Sequence, residues 1–189
     1  MKKVTLLLSC ILFFSITCFA PDLPTDEKAI TETYERIQKE ARFFSLYNQA
    51  LNKLKEFEGL SLVAYADGHG RTIGYGHFIE WFEDIPVIIT EEEAEVFLRI
   101  DLEESIQTVE KNTGLNRFDN PEKVLALAHF VFNVGGPAFE RSTLLKNLQA
   151  GLSINYEIVR WNKATVKGEK VILTHLSMRR HYELSLFYS

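Results

Sequence analysis

Glu56 to His77 reads EFEGLSLVAYADGHGRTIGYGH. Upstream, apolar residues recur at Ile30, Tyr34, Ile37, Ala41, Phe44, Leu51, Leu54 and Phe57, in steps of three and four. Asn48 is the single polar gap. That period is an amphipathic helix, continuous or broken once, and it ends at Glu58 where Gly59 follows. Leu62, Ala64, Arg71, Ile73 and Tyr75 then fit strands around the turn Asp67-Gly68-His69-Gly70. The stretch therefore puts one carboxylate, Glu58, at a helix end and a second, Asp67, in a glycine-rich hairpin turn. Thr72 opens the short strand that follows. Two carboxylates facing each other across a cleft are what glycoside hydrolysis needs.

Outward from this stretch, the N-terminus differs from the rest. Lys2 and Lys3 precede an apolar run from Val4 to Phe19, closing on Cys18-Phe19-Ala20. A charged start, an apolar middle and small residues at the close predict a secretory leader over residues 1–20, cleaved after Ala20. The competing reading is a retained anchor, for which the run is slightly short. Both cysteines, Cys10 and Cys18, lie in the leader, so the mature chain has no thiol for disulfides, nucleophilic catalysis or zinc. The net charge is −5. Losing two lysines with the leader takes it to −7, which argues against a nucleic-acid partner.

Residues 21–50 form a linker, Pro21 to Pro24, followed by the first part of the amphipathic helix. The expectation is that this helix packs against a monomeric domain. The same steps also fit a heptad seam for an oligomer or partner. Beyond the hairpin, Thr90-Glu91-Glu92-Glu93 predicts a capping box, and the helix it starts runs to Gly114. Asn120-Pro121 predicts a cap and first turn for a helix apolar almost all round from Val124 to Val134, hence the buried centre. Gly135-Gly136-Pro137 stops it. Ser142 to Gln149, Ile154 to Trp161 and Thr174 to Phe187 are further helices.

The motifs resemble those of phage-type lysozymes (endolysins, glycoside hydrolase family 24). The family pattern E-G, Y-x-D and T-I-G-Y-G-H is matched by Glu58-Gly59, Tyr65-Ala66-Asp67 and Thr72-Ile73-Gly74-Tyr75-Gly76-His77. A second block matches at Phe132-Asn133-Val134-Gly135, Phe139 and Ser142-Thr143-Leu144-Leu145. The closing block matches at Trp161-Asn162-Lys163-Ala164 and Leu176-Ser177-Met178-Arg179-Arg180 with Glu183-Leu184. The resemblance covers residues 51–189 and implies an α+β, lysozyme-like fold. A small β-hairpin lobe and a larger helical lobe would flank a cleft, preceded by the extra N-terminal helix. One departure stands out: Asp67 to Thr72 is one residue shorter than in the family.

The resemblance assigns catalysis to Glu58, Asp67 and Thr72. Glu58 is the general acid, which requires a raised pKa from apolar walls such as Phe57, Leu60 and Leu62. Asp67 stays ionised and orients water, and the Thr72 hydroxyl helps hold that water. Arg179 and Arg180 point about 100° apart on a helix, so at most one faces the cleft; Arg180 is expected beside Glu58. Arg180, Asn133 and His69 are the candidate substrate-binding residues. His77 and Asn133 fit structural roles, and His129 fits a neutral core histidine. The remaining histidines show no ligand spacing, so neither metal nor other cofactor is expected.

The implied activity is that of an exported muramidase, periplasmic or extracellular. It would cut the β-1,4 bond between N-acetylmuramic acid and N-acetylglucosamine in bacterial peptidoglycan. Glycan strands are then the partner, with no membrane contact after leader cleavage. Two alternatives use the same fold: a peptidoglycan-binding protein with weak or lost turnover, and a lytic transglycosylase working through Glu58 alone.

Overall fold

The computed structural model describes residues 26–66, 70–166 and 168–189. The expected leader, Asp67 and His69 lie outside the described residues. The first helix, α1 (Glu27–Glu58), is continuous for 32 residues. The Asp26 carboxylate caps it by accepting from the Ala29 N–H at 2.8 Å. Gly59 ends it at φ +71°, donating its N–H to the Lys55 carbonyl. Asn48 causes no break, because a single polar residue on a long apolar stripe removes no backbone hydrogen bond.

Packing along α1 is uneven. Phe43, Ala50, Leu51 and Leu54 are buried, whereas Ile30, Tyr34, Ile37 and Phe44 are exposed. The expectation that the whole helix packs on the domain is therefore corrected for its N-terminal half. Phe43 meets the Phe118 ring edge-on at 5.4 Å, and among the described residues the turns before it are tied to the domain by the ion pairs Lys39–Asp119 and Arg42–Glu122.

Strands β1 (Ser61–Ala66), β2 (Arg71–Gly74) and β3 (His77–Phe78) form an antiparallel sheet in that order. Tyr65 and Phe78 flank Thr72 in the register, while Ile73 faces His77. The sheet packs on α2 (Glu91–Thr113). Contact is close at Gly74, where an added Cβ would lie 3.2 Å from the Ala94 Cβ, and the backbone there has φ +66°. Glycine suits both demands. The capping box is present: Glu93 N–H donates to Thr90 Oγ1 at 3.1 Å and Thr90 N–H to Glu93 Oε2 at 2.8 Å.

Helix α3 (Pro121–Val134) is the expected centre, with Val124 to Val131 buried throughout. Pro121 takes the first turn, but the Asn120 side chain makes no cap. Asn116 organises that entry instead, accepting from Phe118 N–H at 2.8 Å. After Gly135 comes a short helix, α4 (Gly136–Glu140), and then α5 (Thr143–Gln149), capped by Ser142 as expected. The helix expected over Ile154 to Trp161 is limited to α6 (Asn155–Val159). A hairpin not foreseen follows, β4 (Lys163–Val166) with β5 (Glu169–Ile172), before α7 (Thr174–Phe187) closes the chain. Among the described residues no helix is long and apolar enough to cross a membrane.

His77 locks the sheet to α2. Its Nδ1 lies 2.9 Å from Asp101 Oδ1, its Nε2 3.4 Å from Glu83, and its ring stacks on Phe97 at 4.7 Å. Burial lowers its pKa, but Asp101 and Glu83 outweigh burial and the net shift is upward from 6.5. A histidine with a raised folded pKa stabilises the fold most when protonated. The stabilisation is fully present below pH 6.5 and fades as pH rises through the raised value. We expect His77→Gln to lower the melting temperature most below pH 6.5 and progressively less above it, as measured by thermal melts across that range.

Candidate active site

Glu58 is the last residue of α1, and the break at Gly59 leaves its side chain at the junction of the two lobes. Arg179 reaches it from α7, its guanidinium Nη1 donating to Glu58 Oε1. The arginine is 4% exposed and the glutamate 22%. Arg179 is sandwiched by rings, 5.3 Å from the Phe57 centroid and 5.9 Å from that of Phe132. Phe57 in turn meets Tyr182 at 5.9 Å. A guanidinium held between aromatic faces loses water and freedom, so it presents a fixed charge to its carboxylate partner. Phe57 thus supplies an apolar wall, through Arg179. Leu60 and Leu62 are exposed and do not enclose the site.

The other Glu58 oxygen looks toward the hairpin lobe. A Cβ built on Gly76 would lie 3.8 Å from Oε2, and Gly76 has φ +94°. The glycine of the T-I-G-Y-G-H motif therefore lets the strand turn approach the acid without a side chain between them. Thr72 lies one strand back from that turn and is buried. Helix end and hairpin meet here, whereas Asp67 and His69 are outside the described residues.

Arg180 is not beside Glu58, and that expectation is corrected. It is fully buried, donating from Nη2 to Asn133 Oδ1 at 2.7 Å and lying 3.1 Å from Glu183 Oε1. Its guanidinium sits over Phe130 at 4.8 Å. Asn133 accordingly serves to hold Arg180, and a fully enclosed Arg180 has no free face for substrate. Adjacent helix positions diverge by about 100°, so the register of α7 decides which arginine reaches the acid. Tyr182 marks the winning face, because it sits one turn from Arg179 and packs on Phe57.

Glu183 is the residue that the sequence reading left without a role. It is fully buried at i+4 and i+3 from the two arginines, 3.6 Å from Arg179 Nε. Glu58 and Glu183 thus balance Arg179 and Arg180 in one network. Burial pushes the Glu183 carboxyl up, with both guanidiniums pulling it back, and burial pushes Arg180 down. His129 lines the same region. Its Nε2 lies 3.0 Å from the Ala50 carbonyl, and burial, aided by Arg179, drops its pKa to about 3. It is the neutral core histidine expected, with Nε2–H donating. A groove of about 360 Å³ beside the β4–β5 hairpin is lined by Trp161, Arg160 and Lys163 among others, and includes none of Glu58, Thr72 or Arg179. Among the described residues no cluster of acidic, histidine or cysteine side chains is suited to a metal.

A carboxylate at a helix end is thus held by a buried arginine and faces a glycine-rich hairpin, in a mixed helix-and-hairpin fold of lysozyme-like type. Comparisons with known proteins define the family. The chain belongs to the phage lysozyme family, whose model matches residues 55–183. It is 40% identical over 139 residues to the endolysin of Acyrthosiphon pisum secondary endosymbiont phage 1, covering 72% of this chain and 92% of that protein. Among solved structures it is similar to the muramidase domain of SpmX from Asticaccaulis excentricus, with TM-score 0.64 and 30% identity, covering 75% of this chain and 95% of that one. It is also similar to the endolysin from Escherichia coli O157:H7 phage FAHEc1, with TM-score 0.60 and 33% identity, over 73% and 89% of the two chains. The chain is a lysozyme-type glycoside hydrolase that acts on peptidoglycan.

Removing one partner from a buried charge network costs about 3–5 kcal/mol, because the remaining charges stay desolvated. We expect Glu183→Ala to destabilise the fold by about that amount, read by denaturant unfolding, since it leaves two arginines facing one carboxylate.

Proposed function

We propose that this chain is an exported muramidase that hydrolyses the β-1,4 bond between N-acetylmuramic acid and N-acetylglucosamine. The observation that carries the proposal is the placement of Glu58, fixed by Arg179 on one oxygen and open toward Gly76 on the other. The leader over residues 1–20 supports export to the periplasm or beyond, where the wall lies.

In this reading Glu58 protonates the leaving glycosidic oxygen as the bond to the anomeric carbon breaks. Asp67, ionised, takes a proton from a water positioned with the help of Thr72. That water adds to the anomeric carbon from the opposite face, giving inversion. Inversion requires the two carboxyl groups to stand roughly 6.5–9.5 Å apart, leaving room for the water. Arg179 orients the acid and does not touch the sugar. The hairpin is one residue shorter between Asp67 and Thr72 than in the family, and its placement of the water sets the rate. A displacement of about 1 Å costs on the order of a hundredfold.

Wall digestion with product analysis tests the proposal. Glu58→Gln is expected to reduce release of reducing ends by about 100- to 10,000-fold, the range for loss of a general acid. Asp67→Asn is expected to reduce it as well, and mass spectrometry should show hydrolysed, not anhydro, muramic acid ends. Wild-type rates from Glu58→Gln would remove Glu58 as the acid. Anhydro products that survive Asp67→Asn would make the enzyme a transglycosylase.

A further inference from the structure

Among the described residues, four large apolar side chains on one face of α1 are left exposed. Ile30 is 52% exposed, Tyr34 63%, Ile37 52% and Phe44 50%. With Ala41 they step by four, three, four and three residues, the spacing of a coiled-coil seam. The stripe spans about 21 Å at 1.5 Å per residue. No residue of α1 before Phe43 is buried, and the ion pairs of Lys39 and Arg42 meet the domain only near the end of this half. A helix of that length is marginal in water when unpacked. Its apolar face would stabilise it only by being buried against something.

The chemistry of the flanks says what that partner is. The positions beside the stripe are Thr31, Thr33, Gln38, Glu40 and Ser45, almost all uncharged. The other charged residues lie elsewhere on the helix, and the charges, Glu40 included, are largely paired within the chain. Lys28 meets Glu32 at 3.8 Å, Arg36 meets Glu40 at 3.4 Å, and Lys39 and Arg42 meet Asp119 and Glu122. A surface that docks on its own copy must avoid placing like charges together, because a two-fold contact repeats every residue. This one does. A membrane surface fits less well, since helices that lie on anionic lipid carry a basic polar face. Residues 26–42 hold five acids and four bases.

We propose that the N-terminal half of α1 pairs with the same segment of a second copy through Ile30, Tyr34, Ile37, Ala41 and Phe44, forming a short two-helix coiled coil. The dimer carries two catalytic domains, and a polymeric wall engages both, so attachment to the wall gains from the second contact. The proposal stands on the helix surface alone and does not depend on how Glu58 works.

Sedimentation equilibrium of the purified chain tests it. The wild type is expected to sediment as a dimer, and Ile37→Glu to weaken self-association by about a hundredfold while cleaving short soluble glycan fragments, which cannot bridge two domains, at the wild-type rate, which shows an intact domain. Cross-linking gives an independent reading. With Cys10 and Cys18 replaced by serine, Ile37→Cys should oxidise to a covalent dimer and Glu35→Cys, on the opposite face, should not. A wild type that stays monomeric at every concentration, a dimer that survives Ile37→Glu, equal cross-linking from both positions, or monomers that bind anionic vesicles would each overturn the proposal.

Discussion

The contact between Glu58 and Arg179 organises this molecule. It ties the end of the first helix to the last, residues 121 positions apart in the chain, and it does so where the hairpin lobe touches the helical lobe. A lone glutamate at a helix terminus sweeps through several rotamers. Here one oxygen is claimed by a guanidinium that is itself held between Phe57 and Phe132. The remaining oxygen has one direction left to face, and Gly76 keeps that direction clear. Packing of aromatic rings is thereby converted into the orientation of the Glu58 carboxylate.

The cost of such an arrangement falls on the interior. Bringing two arginines side by side into a dry site is unfavourable unless acids accompany them. Glu183 supplies the second acid from within the same helix, and Asn133 satisfies part of the Arg180 guanidinium. His129 stays neutral beside them, because a third cation there would be repelled by Arg179 and Arg180 and starved of water. The closing helix therefore supplies the charge network that lies beneath Glu58.

Much of this was legible in the residues. The capping box at Thr90, the apolar run of α3 and the break at Gly59 follow from local rules that tertiary contacts did not override. Glu58 and the T-I-G-Y-G-H strand were legible because their spacing is itself the signal. The choice between Arg179 and Arg180 was not, since adjacent letters on a helix carry no phase until a partner such as Tyr182 is placed. The β4–β5 hairpin escaped notice because its strands have four residues each, too few for alternation to stand out from loop sequence. Asn120 had the right type for a cap, but its backbone, at φ −134° and ψ 52°, departs from the extended geometry seen at Asp26, Thr90 and Ser142. The stripe on α1 had the period of a packed helix. Period alone does not say whether the packing partner belongs to the same chain.

A double-mutant cycle on turnover is the most direct test of the central idea that Arg179 acts through Glu58. Rates of reducing-end release would be compared for wild type, Arg179→Gln, Glu58→Gln and the double variant. The account predicts that Arg179→Gln slows the wild type markedly but causes no further loss once Glu58 is glutamine. Equal fractional losses in both backgrounds would mean that the arginine works independently of the acid, and the account would be wrong.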